Sequence, residues 1–174
     1  MQVRWMMTVL GFCFTVLAID ILSKMYTYHH IPLLSWSSPF YPYGGIAVFK
    51  NWFGIDFSLN YAMNKGAAWG IFSSFQEHLL YARLLIMGGL LSYLLLVKMS
   101  CLRKFSLFCV LTGAIGNVID FFLYGHVVDM FNFSFWGYSF PVFNVADSII
   151  FCGVAFLLSQ GFLEKRFSFF AKTI

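Results

Sequence analysis

The chain has 174 residues, of which 60% are hydrophobic and only 10% are charged, whereas soluble domains carry roughly 25% charged residues. This composition argues against an ordinary soluble domain and is typical of a membrane protein. The net charge of +4 comes from scattered Lys and Arg residues near the ends of apolar segments. That distribution indicates membrane topology and argues against a nucleic-acid-binding face.

A helix needs about 20 apolar residues to cross the hydrocarbon core of a bilayer. Four segments of this kind occur, at about residues 5–22, 79–97, 105–124 and 145–163. They predict an all-α membrane protein in which 1–174 form one domain with four transmembrane helices. The longer connections are 23–78 and 125–144.

The cationic residues predict the direction of these spans. Most of them precede the first span, join the second to the third, or follow the fourth: Arg4, Lys98, Arg103, Lys104, Lys165, Arg166 and Lys172. The connection 125–144 has no Lys or Arg, and the long connection 23–78 has three spread over its length. Under the positive-inside rule, both termini are expected in the cytoplasm and both long connections outside it.

With this topology, four of the seven acidic residues fall near one membrane face: Asp20, Asp120, Asp129 and Asp147. Ionisable groups at membrane depth are costly and are therefore candidates for function.

The long connections contain patterns typical of strands. Residues 54–63 alternate between apolar and polar side chains, and residues 130–143 predict two short strands around a turn near Gly137. We therefore expect a small, aromatic-rich sheet, or cradle, on the outer surface of the bilayer. Residues 73–85 predict a surface helix that turns into the second span.

Asp129 and Asp147 are a candidate catalytic pair. In such a pair the ionised carboxylate takes a proton from water, while the protonated one polarises the carbonyl of the amide that is cut. The alternative is structural: Asp147 is the N-cap of the fourth helix, where the helix dipole favours an anion, and Asp129 is a solvated loop residue. The pattern leaves both interpretations open.

Other polar residues of the spans have spacings that predict contacts. Asp20 and Lys24 are four residues apart, which favours an intrahelical ion pair at the interface with Lys24 extended toward water. Recognition of a polar lipid or peptide group is the functional alternative. Asn117, Asp120 and Tyr124 share one face of the third span, and the depth of Asn117 predicts a hydrogen bond to another helix.

Small residues follow Asn64 in the stretch "NKGAAWG" (64–70). Gly66 and its neighbours permit close approach of a backbone, either a packed helix or an extended substrate. Arg83 and His126 are isolated in the sequence and are predicted to lie at the membrane interface.

Five motifs occur in one order: "DILSK" (20–24), "NKGAAWG" (64–70), "GAIGNVID" (113–120), "VVDM" (127–130) and "FNVADSII" (143–150). In this order and with the predicted topology, the chain resembles signal peptidase II, an aspartic endopeptidase family of the bacterial inner membrane. The resemblance implies removal of the signal peptide from diacylglyceryl-modified prolipoproteins, on the N-terminal side of the lipidated cysteine, at the periplasmic face.

The resemblance also implies roles for individual residues. The catalytic pair of the family corresponds to Asp129 and Asp147. Positions that support the site or bind substrate correspond to Asp20, Lys24, Asn64, Gly66, Asn117, Asp120, Asn144 and Ala146. Prolipoprotein and membrane phospholipid are the expected partners, and neither a metal, an organic cofactor nor a nucleic acid is implied.

The chain departs from the family pattern at Phe121, where arginine is usual, and Arg83 or His126 is a candidate substitute. The alternative to a peptidase is a non-enzymatic membrane scaffold or small carrier. In that case the aspartates would cap helices and pair with Lys24 and Arg83.

Overall fold

The computed structural model describes residues 2–34, 41–66 and 75–171. Within these ranges the chain forms four helices: α1 (Gln2–His30), α2 (Gln76–Leu96), α3 (Cys101–Tyr124) and α4 (Val145–Ala171). Each contains a stretch long and apolar enough to cross a membrane. The sequence prediction of four such helices is thereby confirmed for the described part of the chain.

The first helix is longer than its apolar segment. It continues past the predicted end at residue 22, through Lys24, to His30. Hydropathy marks only the part that lipid can surround, whereas the polar end of α1 is paired inside the protein. The predicted surface helix lies partly outside the described residues, because 67–74 are not among them.

Helix α3 forms the centre of the bundle. Half of its most apolar window is buried inside the protein (50%), against 11–17% for the other helices. Its N-terminal half packs on α2 through an apolar cluster of Leu94, Leu107 and Leu111. Large apolar side chains such as Leu85, Leu96 and Phe151 stay exposed on α2 and α4, as expected of surfaces that face lipid.

A small antiparallel sheet stands at the other end of α3. Its strands are β1 (Ile46–Trp52), β2 (Ile55–Asn64), β3 (Val127–Phe135) and β4 (Tyr138–Ser139), adjacent in that order. The predicted strands in 54–63 and around Gly137 are confirmed. Trp136 and Gly137 both have positive φ angles, 48° and 83°, as the tight turn of a two-residue hairpin requires.

The two faces of the sheet differ in chemistry. On one face Ser58, Asn60 and Asn132 are buried and hydrogen-bonded to one another. On the other face Phe57 stacks on Phe133, with 4.3 Å between ring centroids. The polar side chains of β2 therefore lie on the buried face of the sheet because they take part in these hydrogen bonds.

Two short connections bring β3 against the start of α4. Helix α3 ends at Gly125, whose φ of 73° is left-handed and whose N–H donates to the Phe121 carbonyl at 3.0 Å. The chain then enters β3 after His126. Backbone bonds between Phe131 and Phe143 hold the segment before α4 alongside β3.

Candidate active site

Asp129 and Asp147 lie on different elements and face one cavity. Asp129 belongs to β3, pairs with Ala62 of β2 and is only 2% exposed. Asp147 lies in the first turn of α4. Both line a cavity of about 1040 Å³. The interpretation of Asp129 as a solvated loop residue is therefore wrong, since the sheet and the helix ends enclose it.

Asn144, and not Asp147, is the N-cap of α4. The Asn144 side-chain oxygen accepts a hydrogen bond from the Asp147 backbone N–H at 2.8 Å, and Asp147 Oδ2 accepts one from the Asn144 backbone N–H at 3.3 Å. This reciprocal pair is a capping box. It corrects the N-cap interpretation of Asp147, whose carboxylate reaches back to the cap from inside the first turn.

The Asn144 side chain also contacts the other acidic residue. Its Nδ2 donates to Asp129 Oδ1 at 2.6 Å and lies within 3.2 Å of Asn117 Oδ1 and 3.4 Å of the Val128 carbonyl. Asn144 is completely buried. One rigid side chain therefore fixes Asp129 and Asp147 relative to each other.

Lys24 lies behind this pair and is 0% exposed. Its Nζ donates to Asp20 Oδ2 at 2.7 Å, to Asp120 Oδ2 at 3.0 Å and to Asn117 Oδ1 at 2.9 Å. An ammonium group has three N–H donors, so all are used. The predicted Asp20–Lys24 ion pair is confirmed. The expectation that Lys24 extends toward water is wrong, because Asp120 supplies a second carboxylate for the desolvated ammonium.

The two carboxylates that pair with Lys24 also hold the backbone beside the candidate pair. Asp20 Oδ1 accepts from the N–H of Ala146, the residue before the α4 aspartate, at 2.8 Å. Asp120 Oδ2 accepts from the N–H of Val128, the residue before the β3 aspartate, at 3.0 Å. The Lys24 network therefore connects α1 and α3 to both chain segments that carry the candidate pair.

Asn117 confirms the predicted hydrogen bond to another helix. Its oxygen accepts from Lys24 of α1, and its Nδ2 donates to Asp147 Oδ1 of α4 at 2.8 Å. An amide presents its oxygen to a cation and its NH2 group to a carboxylate. This arrangement therefore fixes the orientation of the Asp147 carboxylate.

Asn64, the last residue of β2, and Gly66 just beyond it support Asp129. Asn64 Nδ2 donates to Asp129 Oδ2 at 3.0 Å, and its oxygen accepts from the Gly66 N–H at 3.1 Å. Gly66 is buried and lines the cavity. The remaining small residues of this stretch, Ala67, Ala68 and Gly70, lie outside the described residues.

The electrostatics of Asp129 suit a group that retains a proton. Burial and the neighbouring charge of Asp147 raise the pKa of the Asp129 carboxyl from its ordinary 3.8 to about 8, against the opposing hydrogen bonds from Asn64 and Asn144. Two carboxylates at low dielectric do not both ionise readily. Asp129 therefore keeps its proton at neutral pH, the state that the acid of a carboxyl pair requires.

The cavity is lined by both polar and apolar residues. Arg83, Asn64 and Asn117 line it together with the pair. The apolar lining includes Phe140, Val142, Phe143 and Phe151. Within the described ranges, no three His, Cys, Asp or Glu side chains are grouped closely enough to hold a metal ion.

Two residues that the sequence indicated as isolated have specific contacts. Arg83 lines the cavity and donates to the Gly66 carbonyl at 3.0 Å. His126 is buried, and its Nε2 is 2.7 Å from the Tyr61 hydroxyl. Burial lowers the pKa of His126, so the ring is neutral at neutral pH. The signal for Arg83 was its charge inside an apolar span.

Phe121 stands apart from this site. It packs edge-to-face against Phe122, with 5.9 Å between ring centroids and an interplanar angle of 90°. It is not among the residues that line the cavity in the described part of the chain. Of the two candidate substitutes for an arginine there, Arg83 faces the cavity.

Comparisons with known proteins identify the family of this chain. The sequence model of signal peptidase (SPase) II matches residues 12–163. A lipoprotein signal peptidase of Chlamydia pneumoniae is 39% identical over 118 residues, which cover 67% of this chain and 70% of that protein. One from Clostridium acetobutylicum is 39% identical over 110 residues, which cover 62% and 69%.

The fold also matches a solved structure. A bacterial membrane enzyme determined by the in meso method at 2.3 Å resolution superposes with a TM-score of 0.75, at 24% sequence identity, over 91% of this chain and 89% of that one. At this identity the likeness concerns the fold. Together with the match over residues 12–163 and the apolar helices, it shows a membrane protein, and the chain belongs to the signal peptidase II family of peptidases.

Proposed function

We propose that this protein is a membrane aspartic endopeptidase that removes signal peptides from diacylglyceryl-modified prolipoproteins, cutting on the N-terminal side of the lipidated cysteine. The observation that carries the proposal is the contact of Asn144 with both Asp129 and Asp147 at the wall of one cavity. Membership of the signal peptidase II family favours this function over a scaffold or carrier.

The proposed chemistry uses one proton shared by Asp129 and Asp147. The ionised carboxylate takes a proton from a water molecule, whose oxygen attacks the carbonyl carbon before the lipidated cysteine. The protonated carboxyl donates a hydrogen bond to the carbonyl oxygen. Collapse of the tetrahedral intermediate breaks the C–N bond, and a proton passes to the cysteine nitrogen as it leaves. Because the two groups titrate as a unit, the roles of acid and base belong to the pair.

The cavity suits a substrate with both a peptide and a lipid part. Its polar lining carries the hydrogen-bonding groups that a peptide needs, and its apolar lining includes Phe151 and Cys152 of α4. We propose that the acyl chains remain in the bilayer beside these helices. Anchoring in the bilayer raises the local concentration of the scissile bond near the pair.

We further propose the bacterial inner membrane as the location, with both termini in the cytoplasm and the sheet forming a periplasmic cradle around the site. This orientation is supported by the cations at the end of the bundle opposite the sheet, including Arg4, Lys98 and Lys104. The whole chain would act as one integral-membrane domain, in contact with phospholipid. The proposed chemistry requires no metal or organic cofactor.

Purified protein incubated with a diacylglyceryl prolipoprotein and with its unlipidated form tests the substrate. We expect cleavage of the lipidated form before the cysteine, located by mass spectrometry, and much slower cleavage of the unlipidated form. Equal rates would contradict the proposed substrate class. Loss of cleavage with a chelator would contradict chemistry by the two carboxyls alone.

Asp129→Asn and Asp147→Asn test the catalytic pair. Each substitution keeps the size of the side chain and one of its two acceptor oxygens but removes a carboxyl that shares the proton. Cleavage should therefore fall by about a thousandfold, the scale of lost acid–base catalysis. Asp56→Asn, in the sheet, is the matched control and should cleave like wild type. Retained cleavage in both test variants would sink the assignment of the pair.

A further inference from the structure

Arg83 is a charged residue inside an apolar helix. The most apolar window of α2 has a mean hydropathy of 1.9, and the residues next to Arg83, Leu84 and Leu85, are exposed on the outer surface of the bundle. The Arg83 side chain is half-buried and lines the cavity instead. Arginine within a membrane span is costly and is found where it faces a polar interior.

Among the described residues, the guanidinium of Arg83 uses only part of its hydrogen-bonding capacity. Its Nη2 donates to the Gly66 carbonyl at 3.0 Å. The ion pairs among the described residues are those of Lys24 with Asp20 and Asp120, so within the described ranges Arg83 has no carboxylate partner. A guanidinium carries five N–H donors in a fixed plane. Donors therefore remain for an acceptor inside the cavity.

The hydrogen bond to Gly66 also links the Arg83 guanidinium to the candidate catalytic pair. The Gly66 N–H donates to Asn64, and Asn64 donates to Asp129. Arg83 is thus connected through one residue of backbone and one side chain to a candidate catalytic carboxylate. Arg83 and Asp129 line the same cavity.

We propose that Arg83 is a substrate-binding residue, whose guanidinium donates a hydrogen bond to a carbonyl oxygen of the bound lipidated peptide. The inference rests on the proposed function. The carbonyl belongs either to the peptide backbone beside the scissile bond or to an ester of the diacylglyceryl group, and both present the same acceptor. A charge-assisted bond of this kind adds to binding and orients the substrate before chemistry.

Steady-state kinetics of Arg83→Gln test the proposal. Glutamine keeps an amide N–H donor but lacks the positive charge and the planar set of N–H groups of a guanidinium. We expect KM for the diacylglyceryl prolipoprotein to rise about tenfold or more, the scale of a lost hydrogen bond to a charged group, while kcat stays within about threefold. Arg83→Lys, which restores the charge, should recover part of the loss. Arg4→Gln removes the same charge at the far end of α1 and should leave KM unchanged.

A dialkyl ether analogue of the substrate identifies the carbonyl. If Arg83 binds an ester, the ether raises KM for wild type, and Arg83→Gln adds no further increase. If it binds the peptide, Arg83→Gln raises KM equally for ester and ether substrates. Either pattern supports substrate binding by Arg83.

A fall in kcat with unchanged KM in Arg83→Gln would overturn the proposal, because Arg83 would then act only by holding Gly66 and Asn64 beside Asp129. If Arg83→Gln does not fold, the same criterion applies to Arg83→Lys: an unchanged KM overturns the proposal. Failure of wild type to cleave the lipidated precursor would instead overturn the proposed function.

Discussion

The two ends of helix α3 are held by different forces. At the sheet end, Asn117 and Asp120 belong to a buried network with Lys24, in which each donor of the ammonium has a partner. At the opposite end, α3 packs through Leu107 and Leu111 against α2. Close packing of apolar side chains stabilises the end of α3 that contacts α2. At the sheet end, the buried network positions two carboxyl groups, and the desolvation of its charges is unfavourable.

This difference separates stability from function within one helix bundle. Buried ion pairs contribute little net stability, since desolvation offsets their attraction, but breaking one leaves an uncompensated charge. A network of this kind is therefore better explained by what it positions. Its hydrogen bonds end on Ala146, Val128 and Asp147, which are the candidate pair or its chain neighbours.

Lys24→Met should have the largest effect on stability. It leaves Asp20 and Asp120 buried without a cation, so we expect a loss of about 3–5 kcal/mol, measured as the free energy of unfolding in detergent, together with loss of cleavage. Lys50→Met is the matched control, because Lys50 is exposed and only stands 5.7 Å from the Tyr41 ring. Its loss should not exceed about 1 kcal/mol.

The double variant Lys24→Met/Asp120→Asn tests whether unpaired buried charge causes this loss of stability. The asparagine oxygen can still accept the Val128 N–H, and one unpaired charge disappears, so part of the lost stability should return. Equal destabilisation by the Lys24 and Lys50 variants, or no recovery in the double variant, would contradict the role of the buried charge network.

Substitution of two glycines on the α3–α4 interface should have an intermediate effect on stability, and the two variants should differ in activity. A Cβ at Gly113 would stand 2.4 Å from the Ala146 carbonyl, and one at Gly153 would stand 2.8 Å from the Ser106 carbonyl. Each substitution to alanine should cost about 1–3 kcal/mol through overpacking. Gly113→Ala also displaces the backbone next to Asp147.

We therefore expect Gly113→Ala to lower kcat by up to about a hundredfold, the scale of a misplaced catalytic group, and Gly153→Ala to cleave nearly like wild type below its melting temperature. Thermal unfolding and cleavage measured on both variants check this contrast. Equal loss of kcat in the two would show that general loosening of the helix pair, and not the position of Asp147, limits the reaction.

The pH dependence of stability should also differ between wild type and Asp129→Asn. The folded protein holds the Asp129 proton up to about pH 8, whereas the unfolded chain loses it near 3.8. The stabilising contribution is therefore complete below 3.8 and is lost as pH rises toward 8. Asparagine does not titrate, so the free energy of unfolding of the variant should rise relative to that of wild type as pH increases across this window.

Melting temperatures of both proteins across this window check the sign. A gap that stays constant between pH 5 and pH 8 would mean that the Asp129 carboxyl is not protonated in the folded state. Cleavage by wild type should also decline above about pH 8, as the pair loses the proton that the general acid supplies.

The apolar spans, the strands and the convergence of four aspartates could be predicted from the sequence, because hydropathy and alternation are local signals. The partners of those residues could not. Lys24 pairs with Asp120 across two helices, and sequence spacing reveals only its neighbour Asp20. Likewise, Asn144 displaces Asp147 as the N-cap because the helix begins at Val145, a boundary that composition does not define.

Arg83 shows a second limit. The sequence shows a charged residue inside an apolar span. The direction in which the Arg83 side chain points, however, depends on the packing of α2 against α3 and on the hydrogen bond to the Gly66 carbonyl. The inward polar face of β2 has the same origin: Ser58 and Asn60 are buried because Asn132 on β3 bonds to both. Long-range pairing decides these orientations.

The central claim is that the carboxyl groups of Asp129 and Asp147 hold one proton between them and act as a unit. Infrared difference spectra of wild type against Asp129→Asn and against Asp147→Asn at pH 7 test this most directly. We predict that wild type has a protonated carboxyl band that Asp129→Asn lacks. Burial, the larger cause of the raised pKa of Asp129, persists in Asp147→Asn, so that variant should keep the band but lose it at a lower pH than wild type. The absence of such a band from wild type, with both groups ionised at pH 7, would contradict the account.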